Sequence, residues 1–537
     1  MFGDVRSASY FYKMILSAYW RPLYFFSAMV LAAGLPSSNT LMSIGQIMMA
    51  VAWFAELNWQ EKINRLRQQF PLVLFSLIYL LFVFGLIHTM DMQEGWQQLR
   101  IKLPLFILPF MIGSMPFYSS RQMAWIIHSL LGSLLVCSFF GLLIYSGWMT
   151  TSVEDYRKLS PFISNIRFST LLVFAVFTCM YVFQKYNHQW RLIPRSFYIF
   201  FSFYFLGYLF LLKSITGLYV LVGVFFFLLI YYLIRKGNKF YLAIASVGFI
   251  FFVFALMTMY HYEWLRYHDK EVIDFKTLPL SSRNGNIYKH DTLQWAAENG
   301  HYVWINVASY EIKKTWNERS EIDFDGPTHS GVPVKATLVH YLASKGLRKD
   351  ADAVMSLSVK EIKAIENGID NYLYLNKYSL RPRLYQLVKE MDYYQRTGDP
   401  TAKSFAMRIE IWKHALHQLF LSPWIGYGTG DVMHTMRDAY IHRNTKLHPA
   451  YWMNPHQQYF TFALSLGIPL GLLCIYLIIQ PVFFTSFRLH LLFYVFMAIV
   501  FLAMLDENTL DTQAGVTQVA FLYSLLFLVH IKPKQDE

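Results

Sequence analysis

Cysteine is scarce in this sequence, which has only Cys137, Cys179 and Cys474 among 537 residues. All three lie within apolar stretches, so neither a disulfide framework nor a cysteine-based metal site is predicted. The histidines of the polar region between positions 262 and 407 lack the short spacing typical of metal ligands, so we expect no metal and no cofactor. The chain also has no internal repeat or low-complexity tract, and it lacks the inverted repeats expected of many transporters.

Charged residues are also few, at 15% of the chain, whereas hydrophobic residues make up 55%. This composition excludes an ordinary soluble protein and indicates a polytopic membrane protein in contact with a lipid bilayer. The formal net charge is +13, but 20 of the 47 Lys and Arg residues and 19 of the 34 Asp and Glu residues lie between positions 262 and 407. The basic excess therefore belongs to the apolar remainder, where it is a topology signal, and no nucleic acid is expected as a partner.

Twelve apolar runs of roughly 16 to 25 residues predict membrane helices, because about 20 apolar residues span a bilayer. They lie at about 22–37, 40–57, 70–88, 101–117, 123–147, 167–184, 197–213, 217–234, 239–260, 457–484, 489–505 and 514–531. The predicted fold class is therefore an all-α polytopic membrane protein with about 12 transmembrane helices. A large, mostly helical soluble domain is predicted between helices 9 and 10.

Four regions follow from this pattern. Residues 1–260 are predicted to form an N-terminal membrane domain of about nine helices, and residues 261–407 the soluble domain. Residues 408–456 hold an amphipathic helix and a polar loop, and residues 457–537 hold about three further membrane helices. The soluble domain is larger than a simple connection requires.

Basic residues in the short connections fall on one side of the predicted membrane, which the positive-inside rule identifies as cytoplasmic. They are Lys62, Arg65, Arg67, Arg121, Lys185, Arg191, Arg195, Arg235, Lys236, Lys239, Arg488, Lys532 and Lys534. Both termini are therefore predicted to be cytoplasmic, with the large polar segment on the outer side. The first apolar run follows Arg6, Lys13 and Arg21, and because many runs follow it we interpret it as a retained helix rather than a signal peptide.

The chain is organised around the stretch 404–473, which joins a helix of amphipathic spacing to a glycine-rich turn and a long apolar run. Arg408 and Trp412 are four residues apart and share one helix face. The turn follows as PWIGYGTGD, and Pro455 then precedes His456 where the apolar run begins. His456 is therefore expected at the boundary between membrane and water.

The predicted membrane topology places several basic residues at the outer face: Arg408, His456, Arg167, Lys213 and Arg283. A single basic residue at a helix end usually anchors the helix at the interface. Arginines can also hold phosphate oxygens, and a histidine side chain, with an ordinary pKa near ~6.5, suits proton abstraction at neutral pH. Together they suit transfer of a group from a lipid phosphate.

Two further patterns have both a functional and a structural interpretation. The turn from Gly426 to Asp431 could present backbone N–H groups to an anion, but a plain helix stop is the more common use of such a sequence. The pairs Asp323/Asp325 and Asp350/Asp352 could suggest metal-assisted glycosyl transfer, but two-residue patterns are common in a segment rich in acidic residues. The first outer loop, PSSN, has no carboxylate, which argues against a metal-dependent transferase that uses this loop.

The pattern R-x-x-x-W-x-x-A-L, then PWIGYGTGD, then His456 before a long span, resembles the core of the O-antigen ligase and polymerase superfamily. The large outer loop with GNIYKHDTLQWAAENGHYVW, TLVHYLASKGLRKDADAV and IENGIDN resembles that of Bacteroidota-type members. The resemblance covers most of the chain. It implies a membrane glycosyltransferase of the bacterial inner membrane that acts on undecaprenyl-pyrophosphate-linked glycans in the periplasm.

Carried over residue by residue, the resemblance implies that Arg408 holds the pyrophosphate and that His456 activates the acceptor hydroxyl. Trp412 and Gln457 would belong to the substrate-binding surroundings. Two departures stand out: the family often has His-Asn where this chain has His456-Gln457, and its Ser-Arg-Gly is here Ile215-Thr216-Gly217. Lys213, Arg167 or Arg283 could replace the missing arginine.

The predicted function is metal-independent, inverting transfer of a glycan from undecaprenyl pyrophosphate to an acceptor hydroxyl. Ligation to lipid A-core is favoured; polymerisation onto a second lipid-linked glycan and transfer to a protein hydroxyl remain open, because these reactions share their chemistry. A transporter of lipid-linked glycans would need ionisable groups near the middle of the membrane, where His128 is the main example. A glycan-binding protein without catalysis would not need Arg408 or His456.

Overall fold

The computed structural model describes residues 4–149, 156–185, 193–237, 239–293, 296–376, 381–484 and 489–528. The predictions for the chain ends and for Arg191, Arg488, Lys532 and Lys534 lie outside these residues. The chain forms two compact units, of which one combines Met1–Ala245 with Arg408–Glu537 and the other is Ser246–Met407. Helices dominate both, which confirms the predicted helical class.

The helices of the first unit alternate with short connections. They are α1 (Asp4–Ser37), α2 (Asn39–Ala55), α3 (Trp59–Gln68), α4 (Phe70–Phe84), α5 (Met92–Lys102), α6 (Pro104–Ser114), α7 (Ser120–Tyr145), α8 (Asn165–Gln184), α9 (Arg195–Leu212), α10 (Ile215–Arg235), α18 (Val432–His442), α19 (Gln458–Ile479), α20 (Leu491–Ala503) and α21 (Gln513–Leu528). Two more helices, α11 (Lys239–His268) and α17 (Ser404–Leu421), cross the unit boundaries in sequence.

Six of the described helices are long and apolar enough to cross a membrane, and these are α7, α8, α9, α10, α11 and α19. A seventh span results if α2 and α3, which are bent by 118° at their junction, are taken as one. The helices α4, α20 and α21 are apolar but shorter, and the run at 101–117 is divided where Pro104 begins α6. The protein is thus a membrane protein with several apolar helices, and the number of about twelve spans stays a prediction.

The helices that position the site pack against one another within the first unit. Helix α8 contacts α9, α10 and α20, and α20 also contacts α10 and α21. Helix α21 is central, because every residue from Ala514 to Leu528 is buried. The start of α8, the start of α10 and the connection between α20 and α21 therefore share one neighbourhood.

The second unit is a smaller helical body with a two-stranded antiparallel sheet. Its elements are β1 (Ala297–Glu298), β2 (His301–Tyr302), α12 (Ser309–Arg319), α13 (Val334–Ser344), α14 (Ala351–Met355), α15 (Val359–Glu366) and α16 (Arg381–Thr397). Trp316, Leu338 and Ile365 are completely buried in its core. The capping box that the sequence predicts at Ser358 and Glu361 is present at the start of α15.

Candidate active site

The connection from α20 to α21 carries two adjacent carboxylates, Asp506 and Glu507, which we call the carboxylate pair. Its backbone is tied to α19, because the Gln458 N–H donates to Met504 O at 3.0 Å and the Gln458 side chain accepts from Leu510 N at 2.7 Å. Gln458 is fully buried. These bonds fix the start of α19, and with it His456, beside the carboxylate pair.

Asp506 contacts three side chains from two other parts of the chain. The Thr216 hydroxyl donates to Oδ2 at 2.9 Å and the Tyr219 hydroxyl donates to Oδ1 at 2.8 Å, both from the first turns of α10. Arg408, in the first turns of α17, places Nη1 3.3 Å from Oδ2. The two short neutral bonds hold the carboxylate, and the arginine contact is the longer one.

Glu507 lies between two of the basic residues that the sequence singles out. Arg167 Nη2 is 3.3 Å from Oε1, and His456 Nδ1 is 3.9 Å from Oε2. Burial alone would raise the pKa of the Glu507 carboxyl, but His456 and the charges of Arg167 and Arg408 lower that pKa below its ordinary value. Glu507 is therefore ionised at neutral pH, and Arg408, Arg167 and His456 meet around the carboxylate pair.

His456 adopts a left-handed backbone conformation, with φ at 50°. That region costs a residue other than glycine about 1–2 kcal/mol, so surrounding contacts must maintain it. One such contact is the Trp412 indole N–H, which donates to Pro455 O at 3.0 Å. The His456 side chain is 39% exposed, so its ring is open to a ligand while its Nδ1 faces Glu507.

The other residues predicted for the site take different positions. Gln457 caps α19, because its side-chain oxygen accepts from Phe460 N at 3.0 Å. Lys213 ends α9 in a left-handed conformation, is exposed, and lies three residues before Thr216 in the chain. Arg283 is exposed in a turn of the second unit. Their roles in binding substrate stay predictions.

The glycine-rich turn uses its backbone N–H groups inside the protein. Tyr427 N donates to Leu464 O at 2.7 Å and Gly428 N donates to Ser465 O at 3.0 Å. Thr429 N donates to Gly85 O and Gly430 N to the Thr89 hydroxyl. The structural interpretation of this turn therefore holds, and an anion would find these amides already bonded.

Helix α19 is broken where the turn packs against it, a feature that the apolar run does not reveal. Gly467 has φ 79° and ψ 163°, and Pro469 lacks the N–H that would otherwise bond to Ser465 O. The Gly428 N–H supplies that bond, while Ile468 N donates to Pro423 O at 2.7 Å. The turn and the break thus complete each other's hydrogen bonds.

The acidic pairs of the second unit have structural partners. Asp350 caps α14 and accepts from the Tyr288 hydroxyl at 2.6 Å, and Asp325 forms an ion pair with Lys313 at 2.5 Å. These contacts match the structural interpretation of both Asp-x-Asp patterns.

The second unit also brings His340 near Glu298 and Asp370, a grouping that the sequence spacing does not suggest. Within it Lys389 Nζ lies 2.5 Å from Glu298 and 3.5 Å from Asp370. An ammonium group therefore already pairs with both carboxylates that a cation would need. These residues do not fit a metal site, so we assign none.

Sequence reasoning missed the carboxylate pair and its two hydroxyl donors, Thr216 and Tyr219. It gave no role and no partner to the acidic residues between the last two apolar runs, at 489–505 and 514–531. The available signal was two adjacent carboxylates between two apolar runs on the side where the basic residues gather. Ionisable groups beside membrane segments are costly and are usually paired.

The arrangement can bind an anion and accept a proton. Two guanidinium groups face two carboxylates, so the cluster is close to electrically neutral, and both arginine contacts are longer than the ~2.7–2.9 Å of a strong charged hydrogen bond. A phosphate group could therefore compete for the arginines. His456, with Glu507 on its Nδ1 side, can take a proton on its other ring nitrogen.

Comparison with known protein families supports this chemistry. Residues 373–476 match the family described as O-Antigen ligase, and a search among curated proteins found no match. The matched segment is about a fifth of the chain and contains Arg408, Trp412 and His456, while Arg167 and the carboxylate pair lie outside it. Ligase-type or polymerase-type glycan transfer is the general activity that this match supports. The match over residues 373–476 thus supports a relationship of this chain to the O-antigen ligase superfamily.

Proposed function

We propose that this protein transfers a glycan from undecaprenyl pyrophosphate to an acceptor hydroxyl at the periplasmic face of the bacterial inner membrane, with ligation to lipid A-core as its reaction. The observation that carries the proposal is the meeting of Arg408, Arg167 and His456 around the carboxylate pair. Transfer from a lipid phosphate requires an anion site and a proton acceptor close to each other. Here both contact the same two carboxylates.

The donor end of the reaction needs positive charge. Arg408 binds the pyrophosphate and stabilises the charge that develops as the bond to the anomeric carbon breaks. Because the leaving group is already an ionised phosphate, no proton-donating acid is needed. A second basic residue, Lys213 or Arg167, completes the phosphate contacts.

The acceptor end needs a base. His456 takes the proton of the attacking hydroxyl on Nε2, and the ionised Glu507 on the Nδ1 side stabilises the resulting imidazolium. The hydroxyl attacks the anomeric carbon from the face opposite the pyrophosphate, so the configuration inverts. Apo catalytic contacts are often longer than in the substrate complex, and the 3.9 Å between Nδ1 and Glu507 fits that behaviour.

The reaction is proposed to need no metal ion. Asp506 already accepts from two hydroxyl groups and contacts Arg408, and Glu507 contacts Arg167 and His456. These carboxylates are therefore engaged by cations and donors of the chain itself. The proposed topology places both termini in the cytoplasm and the polar domain in the periplasm, where it helps to recognise a glycan.

The test is transfer of a defined undecaprenyl-pyrophosphate-linked glycan by the purified full chain in EDTA, with lipid A-core or a second donor molecule as the acceptor. Wild type is compared with Arg408→Ala and with the control Arg437→Ala, which removes an exposed arginine of α18. We expect activity in EDTA, loss of about 10²- to 10³-fold in kcat for Arg408→Ala, and no loss for the control.

The acceptor that is consumed distinguishes ligation from polymerisation. A folded wild-type protein that transfers to neither acceptor, or an Arg408→Ala variant with full activity, would refute the proposal. Activity that vanishes in EDTA and returns with a divalent cation would refute the metal-independent mechanism alone.

A further inference from the structure

An open cleft lies beside the cluster described above, in the first unit. Its volume is about 320 Å³, at the lower end of the range for ligand pockets. The polar and aromatic side chains that line it are Asn39, Phe162, Ser164, Arg167, Thr512 and Gln513. A cleft of this size suits a short glycan segment rather than a lipid chain.

The lining has the chemistry of a site for a neutral polyhydroxyl ligand. Asn39 and Gln513 offer side-chain amides, which can donate and accept hydrogen bonds at the same time. Gln513 Nε2 donates to the Ser43 hydroxyl at 2.8 Å, which leaves its second N–H and its oxygen for a ligand. The Ser164 and Thr512 hydroxyl groups accept from backbone N–H groups at the starts of α8 and α21, so each keeps its own proton for donation. Phe162 is 45% exposed and offers a ring face to the apolar side of a sugar.

Arg167 connects the cleft to the candidate active site. It is the charged side chain among the described residues that line the cleft, and its charge is already balanced by Glu507 at 3.3 Å. Its Nε is buried and has no hydrogen-bond partner among the described residues. The guanidinium has five N–H groups and its Nη2 donates to Glu507, so the exposed part of the side chain, 15% of its surface, keeps donors for an oxygen atom of a ligand in the cleft.

We infer that this cleft binds a sugar residue of the acceptor, next to the hydroxyl that His456 activates. The inference rests on the proposed function, and it assigns one side of the site to the acceptor and the other side to the pyrophosphate of the donor. Arg167 and His456 share Glu507, whereas Arg408 contacts Asp506. A sugar held beside Arg167 therefore lies on the side of the base, and the pyrophosphate lies on the side of Arg408.

This division also selects the second phosphate contact. Helix α10 supplies Thr216 and Tyr219 to Asp506, and Lys213 lies directly before that helix in the chain. We therefore assign the second phosphate contact to Lys213, three residues before Thr216. Arg167 then serves the acceptor.

The test measures each substrate separately with the full chain in nanodiscs. Phe162→Ala and Asn39→Ala are compared with wild type, and Trp148→Ala is the control because it removes a highly exposed aromatic side chain, near the end of α7, that does not line the cleft. The probes are rough lipopolysaccharide, which carries lipid A-core, and undecaprenyl pyrophosphate without a glycan. Binding of each probe and KM for acceptor and donor are the readouts.

We expect both variants to raise the KM and the dissociation constant for rough lipopolysaccharide by about three- to tenfold, the change that loss of one such contact causes. Phe162→Tyr, which keeps the ring, should restore both values. The donor KM and the binding of undecaprenyl pyrophosphate should stay within twofold of wild type, as should every value for Trp148→Ala.

Three results would overturn the inference. A rise in the donor KM with an unchanged acceptor KM would assign the cleft to the donor glycan. Unchanged values for both substrates would show that the cleft is not a substrate site. An equal loss of binding for undecaprenyl pyrophosphate would show that the cleft does not distinguish acceptor from donor, and would overturn the division of the site into two sides. Because the binding measurement needs no turnover, absence of transfer by wild type would refute the proposed function separately.

Discussion

The two units of the molecule each contain a carboxylate surrounded by basic and polar groups, and the two clusters are built differently. In the second unit Glu298 is 1% exposed and accepts from His340, Lys389, Asn371 and Tyr385 at 2.5 to 3.1 Å. In the first unit Arg167, Arg408 and His456 stand 3.3 to 3.9 Å from the carboxylate pair.

The difference separates a structural cluster from a reactive one. Every donor around Glu298 is close, so the cluster is complete without a ligand and stabilises β1 against α13 and α16. Around the carboxylate pair the contacts to basic groups are long, Arg167 Nε has no partner among the described residues, and His456 is open and strained. Incomplete pairing of charged groups leaves interactions that a substrate can complete.

The strongest test of the reactive cluster is His456→Ala. Removal of the base should lower kcat by about 10²- to 10⁴-fold, the usual contribution of general base catalysis, while the protein keeps its unfolding temperature. Initial rates of glycan transfer at saturating donor and acceptor measure the effect. The control is His434→Ala, which removes an exposed histidine of α18. Equal rates for wild type and His456→Ala would exclude a catalytic role for this residue.

The strongest test of the structural cluster is Glu298→Gln. The change leaves Lys389 without its buried counter-charge, so the second unit should lose about 3–5 kcal/mol of unfolding free energy. Hydrogen exchange of amides in β1, α13 and α16 measures the loss. Glu321→Gln, at an exposed glutamate of the same unit, should leave exchange unchanged. A stable Glu298→Gln variant would mean that the four donors do not depend on the charge.

The same carboxylate predicts an acid sensitivity of the second unit. Burial alone would raise the pKa of Glu298, but hydrogen bonds from His340 and Lys389 and the charge of Lys389 lower the pKa from 4.5 to about 2. Because the folded-state pKa is depressed, the stabilisation is fully present above pH ~4.5 and is lost as pH falls toward ~2, by about 3 kcal/mol. Exchange rates of these amides measured from pH 5 to pH 2 check it. Glu298→Gln should lack this pH dependence.

Glu507→Gln should affect activity more than stability, which is the opposite of Glu298→Gln. Its loss of activity should be smaller than that of His456→Ala. The side chain keeps its shape but loses the charge that stabilises the imidazolium of His456, so we expect kcat to fall by about 10- to 100-fold, less than for loss of the base itself. Unfolding free energy should fall less than in Glu298→Gln, because Glu507 lies 3.3 Å from Arg167 and 3.9 Å from His456, whereas Glu298 lies 2.5 Å from Lys389. Transfer rates and thermal unfolding measured side by side test this. A large loss of stability would place Glu507 in the same class as Glu298.

The sequence alone predicted a helical membrane protein, because composition and apolar runs indicate that class. Its local motifs gave the resemblance to the superfamily. The same motifs singled out Arg408 and His456, which lie in the segment that matches the family. The pairing of Arg167 with Glu507 could not be read in this way, since 340 positions separate the two residues. Their meeting depends on how α8, α19 and α20 pack, and a local pattern does not encode that packing.

The break in α19 shows another limit. Gly467 and Pro469 lie in an apolar run whose hydropathy is typical of one straight helix, and each residue alone is tolerated in membrane helices. Only the docked turn, with Gly428 bonded to Ser465 O, shows why both residues are accommodated. Hydropathy does not fix the number of membrane spans for the same reason. An interruption shortens the continuous helix within an apolar run without changing the hydropathy of that run.

The docking of the glycine-rich turn on α19 has a consequence for biogenesis. Backbone groups left open inside a lipid bilayer are strongly unfavourable, so a membrane helix whose ladder is interrupted at Gly467 is incomplete by itself. The segment Pro423 to Gly428 forms the hydrogen bonds that α19 lacks at the interruption, and it is synthesised before α19. This segment is thus already present in the chain when α19 is synthesised, so we expect insertion of α19 to be coupled to docking of the turn.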